Sequence, residues 1–221
     1  MSYTIAIDGP AGAGKSTIAK KVAKELGFIY VDTGAMYRAM ALYFLKNNIA
    51  PEDKEAIENG CDAISVSISY ENGAQQVWLN GENVSGVIRQ EAVGNMASKT
   101  SVNAKVREKL VALQRELAQK ENVVMDGRDI GTQVLPDATA KIYLTASVEE
   151  RARRRFLELQ EKGMQGDLEE IAADIRERDY RDMNRDISPL RQAEDAVLVD
   201  ASDMTIEEVV SCVIGKFQEK A

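Results

Sequence analysis

The sequence predicts an α/β fold in which helices flank a five-stranded, mainly parallel sheet. Five short apolar runs have the length and composition of buried strands, and stretches with helical spacing separate most of them. Strands that alternate with helices indicate a parallel sheet, because parallel strands need a crossover connection. The predicted strands are Thr4–Asp8, Phe28–Asp32, Asn122–Asp126, Ala140–Thr145 and Ala196–Asp200.

Two stretches place apolar residues three or four positions apart, as one buried helix face requires. The first contains Met36, Met40, Tyr43 and Phe44, and the second contains Val106, Leu110, Leu113 and Leu117. Three pairs with capping-box spacing predict helix starts, namely Ser147 with Glu150, Asp167 with Glu170 and Thr205 with Glu208.

Residues Ser65–Val84 depart from this alternation of strands and helices. Alternating residues flank Asn72-Gly73, and a second Asn-Gly pair follows at Asn80-Gly81. Asn-Gly favours two-residue hairpin turns because both turn positions need positive φ. We therefore predict a small antiparallel insertion. With only four prolines and no repeats, a compact body with inserted subdomains is expected.

Composition excludes several classes of function. The chain has no histidine, which excludes a His-dependent triad, a His metal site and a His proton shuttle. Cys61 and Cys212 form no CxxC pair, so neither a disulfide framework nor structural zinc is expected, and a reducing cytoplasm fits. We expect no signal peptide and no membrane span, hence a soluble protein. No heptad repeat demands assembly, so we expect a monomer.

The charge is unevenly distributed. A net charge of −8 argues against a nucleic-acid-binding surface, yet nine of the fourteen arginines lie between Arg151 and Arg191. Arg178, Asp182 and Arg185 have the spacing of one helix face, and a surface salt-bridge ladder is one explanation for such a run. Arginines at 151, 153, 154 and 155 recur without balancing acids, which favours a polyanion-binding site.

The strongest motif is GPAGAGKS at Gly9–Ser16, which matches GxxxxGK[ST] between a strand and a helix. Its glycines let successive N–H groups point at phosphate oxygens, Lys15 reaches the β and γ phosphates, and Ser16 is a Mg²⁺ ligand. A glycine-rich turn that matches by chance is the alternative, and the flanking elements disfavour it. The predicted nucleotide-binding residues are Gly9, Pro10, Ala11, Gly12, Ala13, Gly14, Lys15, Ser16 and Thr17.

Two further segments follow the second and third strands, at the sheet edge where open α/β folds bind ligands. VDTGAMYR carries Asp32, Thr33, Tyr37 and Arg38, and MDGRDIGT carries Asp126, Arg128 and Asp129. A helix-capping aspartate and a solvated arginine are equally good explanations of either segment taken alone.

The segments GPAGAGKST, DTGAMYR, NMASKTSVNAKVR, DGRDIGT and RERDYRDMNR occur in an order and spacing that resemble bacterial cytidylate kinases. The resemblance covers nearly the whole chain. The β insertion before Arg89 is similar to the enlarged monophosphate-binding subdomain of that family, which shorter adenylate and uridylate kinases lack. The resemblance implies a single P-loop kinase domain, 1–221, with this subdomain at about 36–103 and a lid at about 148–185.

The resemblance also implies a role for each matching residue. Cytosine would be contacted by Ser98, Arg107 and Asp129, the ribose by Arg178 and Asp182, and the monophosphate by Arg38, Arg128 and Arg185. Thr33 and Tyr37 would also bind the substrate, and Thr33 stands where serine is also common in the family, which keeps the hydroxyl. The lid would carry Arg151, Arg154 and Arg155, with Gly163 and Gly166 as flexible points, and the catalytic cations would be Lys15, Arg128, Arg185 and Arg154.

These assignments predict Mg²⁺-assisted transfer of the γ-phosphoryl group of ATP to CMP or dCMP. A carboxylate that accepts from the cytosine amino group, beside an arginine that donates to N3 and O2, complements that base. The alternatives are a kinase for UMP, AMP or shikimate, or a non-catalytic P-loop nucleotide switch. Against a switch, the sequence has no NKxD-type guanine motif, and clustered arginines suit a second anionic substrate.

Overall fold

The structure is a computed structural model that describes residues 2–161 and 163–221. The chain forms two compact units, of which one comprises residues up to Tyr30 together with Glu121–Ala221, and the other comprises Val31–Lys120. We call them the core unit and the inserted unit. The limits predicted for the subdomain and the lid stay predictions, and Lys162 within the lid lies outside the described residues.

The elements in chain order are β1 (Thr4–Asp8), α1 (Lys15–Leu26), β2 (Ile29–Asp32), α2 (Thr33–Lys46), α3 (Lys54–Ala63), β3 (Val66–Glu71), β4 (Ala74–Leu79), β5 (Glu82–Asn83), α4 (Glu91–Thr100), α5 (Ala104–Lys120), β6 (Val123–Gly127), a π-helical turn (Ile130–Val134), β7 (Ala140–Thr145), α6 (Val148–Glu161), α7 (Leu168–Asn184), β8 (Val197–Asp200) and α8 (Ile206–Gln218).

A five-stranded parallel sheet has the strand order β2-β6-β1-β7-β8. The central strand β1 pairs with β6, where Ile7 lies opposite Asp126, and with β7, where Asp8 lies opposite Tyr143. All five predicted strands are confirmed to within one residue at each end. Because the strands run in parallel, their carboxyl ends, and the polar residues that follow them, meet at one edge of the sheet.

The core of the core unit lies between this sheet and its helices. Ile5 and Ile7 of β1 are fully buried, as expected for a central strand that is covered on both faces. Helix α1 contributes Val22 and helix α8 contributes Val213, both also fully buried. This packing places the end of β1, and the loop that follows it, on a rigid base.

The inserted unit contains a separate antiparallel sheet with the order β3-β4-β5. Its two turns are confirmed at Asn72-Gly73, with φ of 52° and 76°, and at Asn80-Gly81, with φ of 50° and 84°. Helix α2 packs against α4, α5 and β4 in the same unit. The apolar face predicted for α2 is confirmed, since its residues Met36, Met40 and Phe44 are fully buried.

Helix boundaries agree with the predicted caps. The side chains of Ser147 and Asp167 accept from the N–H groups of Glu150 and Glu170, respectively, and Thr205 forms a complete capping box with Glu208.

The expectation that Arg178, Asp182 and Arg185 lie on one helix face is wrong. Helix α7 ends at Asn184, and Arg185 follows in an extended conformation. Helical spacing therefore puts Arg178 and Asp182 on one face of α7, but it does not determine the position of Arg185, which lies beyond the end of the helix. Over residues 2–161 and 163–221, no helix is both long enough and apolar enough to cross a bilayer.

Candidate active site

The turn between β1 and α1 is built on three glycines with positive φ. These are Gly9 at 150°, Gly12 at 77° and Gly14 at 87°, the last being the N-cap of α1. A Cβ at Gly9 would lie 1.9 Å from the carbonyl oxygen of Leu144 on β7, so only glycine fits there. The loop thus turns tightly against the sheet and ends at a helix N-terminus, where N–H groups favour anions.

Lys15 begins α1 and is buried. Its Nζ donates to the carbonyl oxygen of Pro10 at 2.6 Å within the same loop. Burial and the nearby positive charge of Arg128 lower the pKa of Lys15 well below its usual range, although Asp126 and Asp8 act in the opposite direction. A phosphate group would relieve both unfavourable effects, so this ammonium group is well suited to an anionic ligand.

Ser16 follows Lys15, and its Oγ donates to Oδ2 of Asp126 at 2.8 Å. Asp126 is buried near the carboxyl end of β6, and Oη of Tyr30 donates to its other oxygen at 2.8 Å. The sequence placed Asp126 at this edge without assigning it a role. The signal in the sequence was an acid that follows three apolar residues of a buried strand and lies at the same edge of the sheet as the phosphate loop.

This pair suits the Mg²⁺ expected from the sequence. Mg²⁺ prefers hard oxygen ligands and usually takes one or two from the protein, with phosphate oxygens and waters as the others. The Ser16 hydroxyl and the Asp126 carboxylate are ligands of that type, 2.8 Å apart. Within residues 2–161 and 163–221, no cluster of three or more His, Cys, Asp or Glu side chains could hold a metal ion.

Asp8 joins the strand before the phosphate loop to the segment after β6. One of its oxygens accepts from the N–H of Ile130 at 2.8 Å, and the other accepts from the N–H of Gly131 at 2.7 Å. Burial raises the pKa of Asp8 to about 6, against the opposing effect of these two donors. No role was predicted for Asp8 from the sequence, although an acid directly before Gly9 was a signal.

Five charged residues of the core unit meet near the carboxyl end of β6. Nε of Arg128 donates to Oδ2 of Asp182 at 2.9 Å, and Nη2 of Arg185 lies 3.9 Å from Oδ1 of Asp129. Burial alone would raise the pKa of Asp182, but the charges of Arg128, Arg178 and Arg185 outweigh it and lower that pKa. Five of the predicted substrate residues are thus brought together, namely Arg128, Asp129, Arg178, Asp182 and Arg185.

The predicted site residues of the inserted unit lie on α2, α4 and α5. Thr33 is buried at the start of α2, and Tyr37 and Arg38 lie one turn further along. The buried guanidinium of Arg107 lies over the ring of Tyr37, with Cζ 5.9 Å from the ring centroid. Ser98 is half-buried on α4.

Helix α4 also approaches Arg38. A Cβ added at Gly94 of α4 would lie 3.6 Å from Nη2 of Arg38. Two of the predicted residues, Arg107 and Tyr37, are therefore neighbours, and Arg38 lies beside α4.

The sequence profile of the cytidylate kinase family matches residues 5–219. The chain belongs to this family. It is 52% identical over 213 residues to the cytidylate kinase of Caldicellulosiruptor bescii, covering 96% of this chain and 94% of that protein. It is 51% identical to the Lactobacillus johnsonii cytidylate kinase over 98% of this chain and 94% of that one. For the Enterococcus faecalis cytidylate kinase, the identity is 50%, with 98% and 96% covered.

Among solved structures, the chain is similar to an uncharacterized protein from Eubacterium ventriosum. The TM-score is 0.53 at 12% identity, and the match covers 99% of both chains. At this identity the likeness concerns the fold alone.

In this member of the cytidylate kinase family, the arginines of α6 have carboxylate partners, so the expectation that they lack balancing acids is wrong. Arg151 pairs with Asp179 at 2.7 Å, Arg153 and Arg154 share Glu150 at 2.9 Å, and Arg155 contacts Glu158 at 3.3 Å. The acidic partners lie three or four residues away on α6, or on α7. Counting basic residues along a short stretch of sequence does not detect such partners.

Arg151 differs from its neighbours because it is buried. Its Nη1 donates to the carbonyl oxygen of Ala11 in the phosphate loop at 3.0 Å, and its Nε donates to that of Ala146 at 2.9 Å. Together with the Asp179 pair, these contacts join the phosphate loop to α6 and α7. Arg151 therefore positions the loop's backbone.

Arg154 also lies beside the phosphate loop. Its Nη1 is 3.8 Å from where a Cβ on Gly14 would stand, and its Nη2 donates to the carbonyl oxygen of Ala201 at 2.7 Å. Of the two glycines proposed as flexible points, Gly163 has a φ of 70°, whereas a Cβ added at Gly166 would lie 3.1 Å from Leu159 and 3.2 Å from Ile171. Movement of the lid stays a prediction.

The raised pKa of Asp8 predicts a pH dependence of stability. Between the reference value of 3.8 and about 6, the folded state binds a proton that the unfolded state releases. The free energy of unfolding should therefore fall as pH rises through this window, by about 3 kcal/mol. Urea unfolding between pH 3.5 and 7 measures the free energy of unfolding of the wild type and of Asp8→Asn. The value for the wild type minus the value for Asp8→Asn should fall as pH rises. A difference independent of pH would contradict the assignment.

Loss of the buried Arg151 pair should destabilise the protein. In Arg151→Met, the Asp179 carboxylate, which is 11% exposed, loses its counter-ion, so the free energy of unfolding should fall by about 3–5 kcal/mol. Arg155→Met on the same helix is the matched control, because Arg155 and Glu158 are 48% and 58% exposed and such pairs contribute at most about 1 kcal/mol. Equal effects of the two substitutions in urea unfolding would refute a structural role for Arg151.

Proposed function

We propose that this protein transfers the γ-phosphoryl group of ATP to CMP or dCMP, giving ADP and CDP or dCDP. The observation that carries the proposal is the contact between the phosphate loop and β6: Ser16 donates to Asp126 at 2.8 Å, and Arg128, two residues further along the chain, donates to Asp182 at 2.9 Å. A donor phosphate at the loop and an acceptor phosphate at the cluster would thus lie within reach of each other. Membership of the cytidylate kinase family supports CMP as the acceptor.

On the donor side, N–H groups of the loop and of the first turn of α1 would bind the phosphates of ATP. Lys15 would exchange its bond to the Pro10 carbonyl for phosphate oxygens. Ser16 and Asp126 would hold Mg²⁺, which when bound supplies positive charge to the phosphate oxygens. Arg154, beside Gly14, would add a further cation at the loop.

On the acceptor side, Arg38, Arg128 and Arg185 would bind the monophosphate, since guanidinium groups match phosphate oxygens in charge and geometry. Arg178 and Asp182 would bind the ribose. The lowered pKa of Asp182 keeps its carboxylate ionised at neutral pH, so it can accept bonds from sugar hydroxyls.

For the base, we assign Ser98, Arg107 and Asp129. The Asp129 carboxylate would accept from the amino group of cytosine, and Arg107 would donate to the acceptors beside it. Uracil presents an oxygen in place of the amino group, so two acceptors would face each other in a buried site. Selectivity for cytosine over uracil follows from this contact.

The transfer needs no protein nucleophile. The acceptor phosphate is ionised near neutral pH, and phosphoryl transfer depends mainly on alignment and on neutralising charge on the equatorial oxygens. Lys15, Arg128 and Arg185 supply that charge from fixed positions. Closure of the α6–α7 lid would exclude water, which otherwise competes as the acceptor.

We further propose that the protein is a cytoplasmic monomer without a nucleic-acid partner. The net charge of −8 disfavours a polyanionic partner outside the arginine-lined site. Two cysteines outside any CxxC pair suit a reducing compartment.

Lys15→Ala should lower kcat by at least about 10²–10³-fold, because it removes a fixed cation from the transferred phosphate. The matched control is Lys24→Ala, an exposed lysine in the last turn of the same helix. The rate of ADP release measures the effect across CMP, dCMP, UMP, AMP and shikimate. Turnover retained in Lys15→Ala would reject the assigned role of the loop, and a preference for a different acceptor would reject CMP.

Asp129→Asn should reduce the ratio of kcat/KM for CMP over UMP by about 10-fold or more, since the amide can donate to the uracil oxygen. The exposed Asp137 lies on the same connection to β7, so Asp137→Asn serves as the control and should leave the ratio unchanged. If Asp129→Asn leaves the ratio unchanged as well, the base is bound elsewhere.

A further inference from the structure

The antiparallel sheet of the inserted unit holds the residue that precedes α2. The N–H of Asp32 donates to Oε1 of Gln75 on β4 at 2.8 Å, and Nε2 of Gln75 donates to the carbonyl oxygen of Asp32 at 3.3 Å. One side-chain amide thus pairs with both main-chain groups of Asp32, as the peptide of a neighbouring strand would. Asp32 ends β2, which is an edge strand of the parallel sheet.

The Asp32 side chain is held as well. Oδ1 accepts from the N–H of Ala35 at 2.9 Å and so caps α2, while Oδ2 accepts from Nη2 of Arg89 at 2.6 Å. The Asp32 side chain is only 7% exposed. All four polar groups of Asp32 are therefore engaged, three of them by Gln75 and Arg89 from outside the helix.

The folding of the small sheet does not explain a glutamine at position 75. The buried apolar residues of β4 are Val77 and Leu79, whereas Gln75 is only half-buried, opposite Tyr70. A β-branched or aromatic residue would suit that strand position better. The amide at this position is explained by its two bonds to Asp32.

We infer that Gln75 is a positioning residue for the acceptor site, because it fixes the start of the helix that carries Thr33, Tyr37 and Arg38. The inference rests on the proposed function in treating α2 as an acceptor-binding helix. A helix whose first turn is free to shift would carry Arg38, one and a half turns further on, away from the position that a phosphate requires. Displacing Arg38 would weaken binding of the acceptor, since a guanidinium must lie within hydrogen-bond distance of the phosphate oxygens that it binds. In this view, the antiparallel insertion orients α2 for the acceptor.

Gln75→Leu tests this inference, since it removes the amide at nearly constant size. The matched control is Gln76→Leu on the same strand, because Oε1 of Gln76 accepts a bond from Asn83 within the small sheet at 3.1 Å. We expect Gln75→Leu to raise KM for CMP by about 10-fold with KM for ATP within about 2-fold of wild type, and Gln76→Leu to change neither by more than about 2-fold.

Gln75→Glu tests the same contact in another way. The carboxylate can still accept from the Asp32 N–H, but it cannot donate to the Asp32 carbonyl oxygen and adds negative charge beside the Asp32 side chain. KM for CMP should rise at least as much as in Gln75→Leu. Hydrogen exchange of the Asp32 amide provides a readout independent of activity, and it should accelerate in Gln75→Leu but not in Gln76→Leu.

The outcomes separate the inference from the proposed function. If the wild type phosphorylates CMP and Gln75→Leu leaves its KM unchanged, the inference is wrong and the function stands. Equal rises in KM for CMP and ATP, with a lower melting temperature, would indicate a general structural role and also overturn it. If the wild type prefers another nucleoside monophosphate, the proposed function fails, and the KM for that acceptor decides the inference.

Discussion

The bidentate interaction of the Asp8 carboxylate with the N–H groups of Ile130 and Gly131 is the constraint on which the rest of the site depends. Asp8 directly precedes the phosphate loop, and Ile130 directly follows Asp129. A buried carboxylate is stable only with its bonding partners in place, so any relative shift of these segments would leave charge unsatisfied. The phosphate loop and the segment that carries Asp129, which we propose to bind the donor and the acceptor base, are therefore held by a single residue, and the raised pKa of Asp8 reflects the burial that this requires.

The site concentrates positive charge within a protein whose net charge is −8. The positive charge of Arg128 lowers the pKa of Lys15, while Asp126 and Asp182 offset part of this repulsion. The charged groups are thus already in place when a substrate binds, and two anionic substrates would reduce the repulsion between the cations. Such preorganisation suits phosphoryl transfer, whose transition state requires fixed cations around the transferred group. The same acids provide oxygen ligands and acceptors that suit Mg²⁺ and a ribose.

The arginines of α6 illustrate how residues with similar sequence surroundings differ in role. Arg151 is buried against the Ala11 carbonyl and Asp179, so it supports the loop. Arg154 lies beside Gly14, where a cation can act on a phosphate. Arg155 is largely exposed and pairs along its own helix. In the inserted unit, Gln75 relates to Asp32 as Arg151 does to Ala11, because each supports the main chain of a segment that we assign to substrate binding.

The sequence by itself determined the five strands, the Asn72-Gly73 turn and the phosphate loop, since each depends on backbone preferences and hydrophobic periodicity over a few residues. It also identified the family, whose motifs are local. Only the tertiary structure decided that Asp8 accepts from Ile130, 122 positions away, and that Arg151 pairs with Asp179, 28 positions away. It also decided the extended conformation of Arg185 beyond the end of α7. Hydrogen bonds and ion pairs between distant segments depend on how the sheet and helices pack, and local sequence carries little record of that packing.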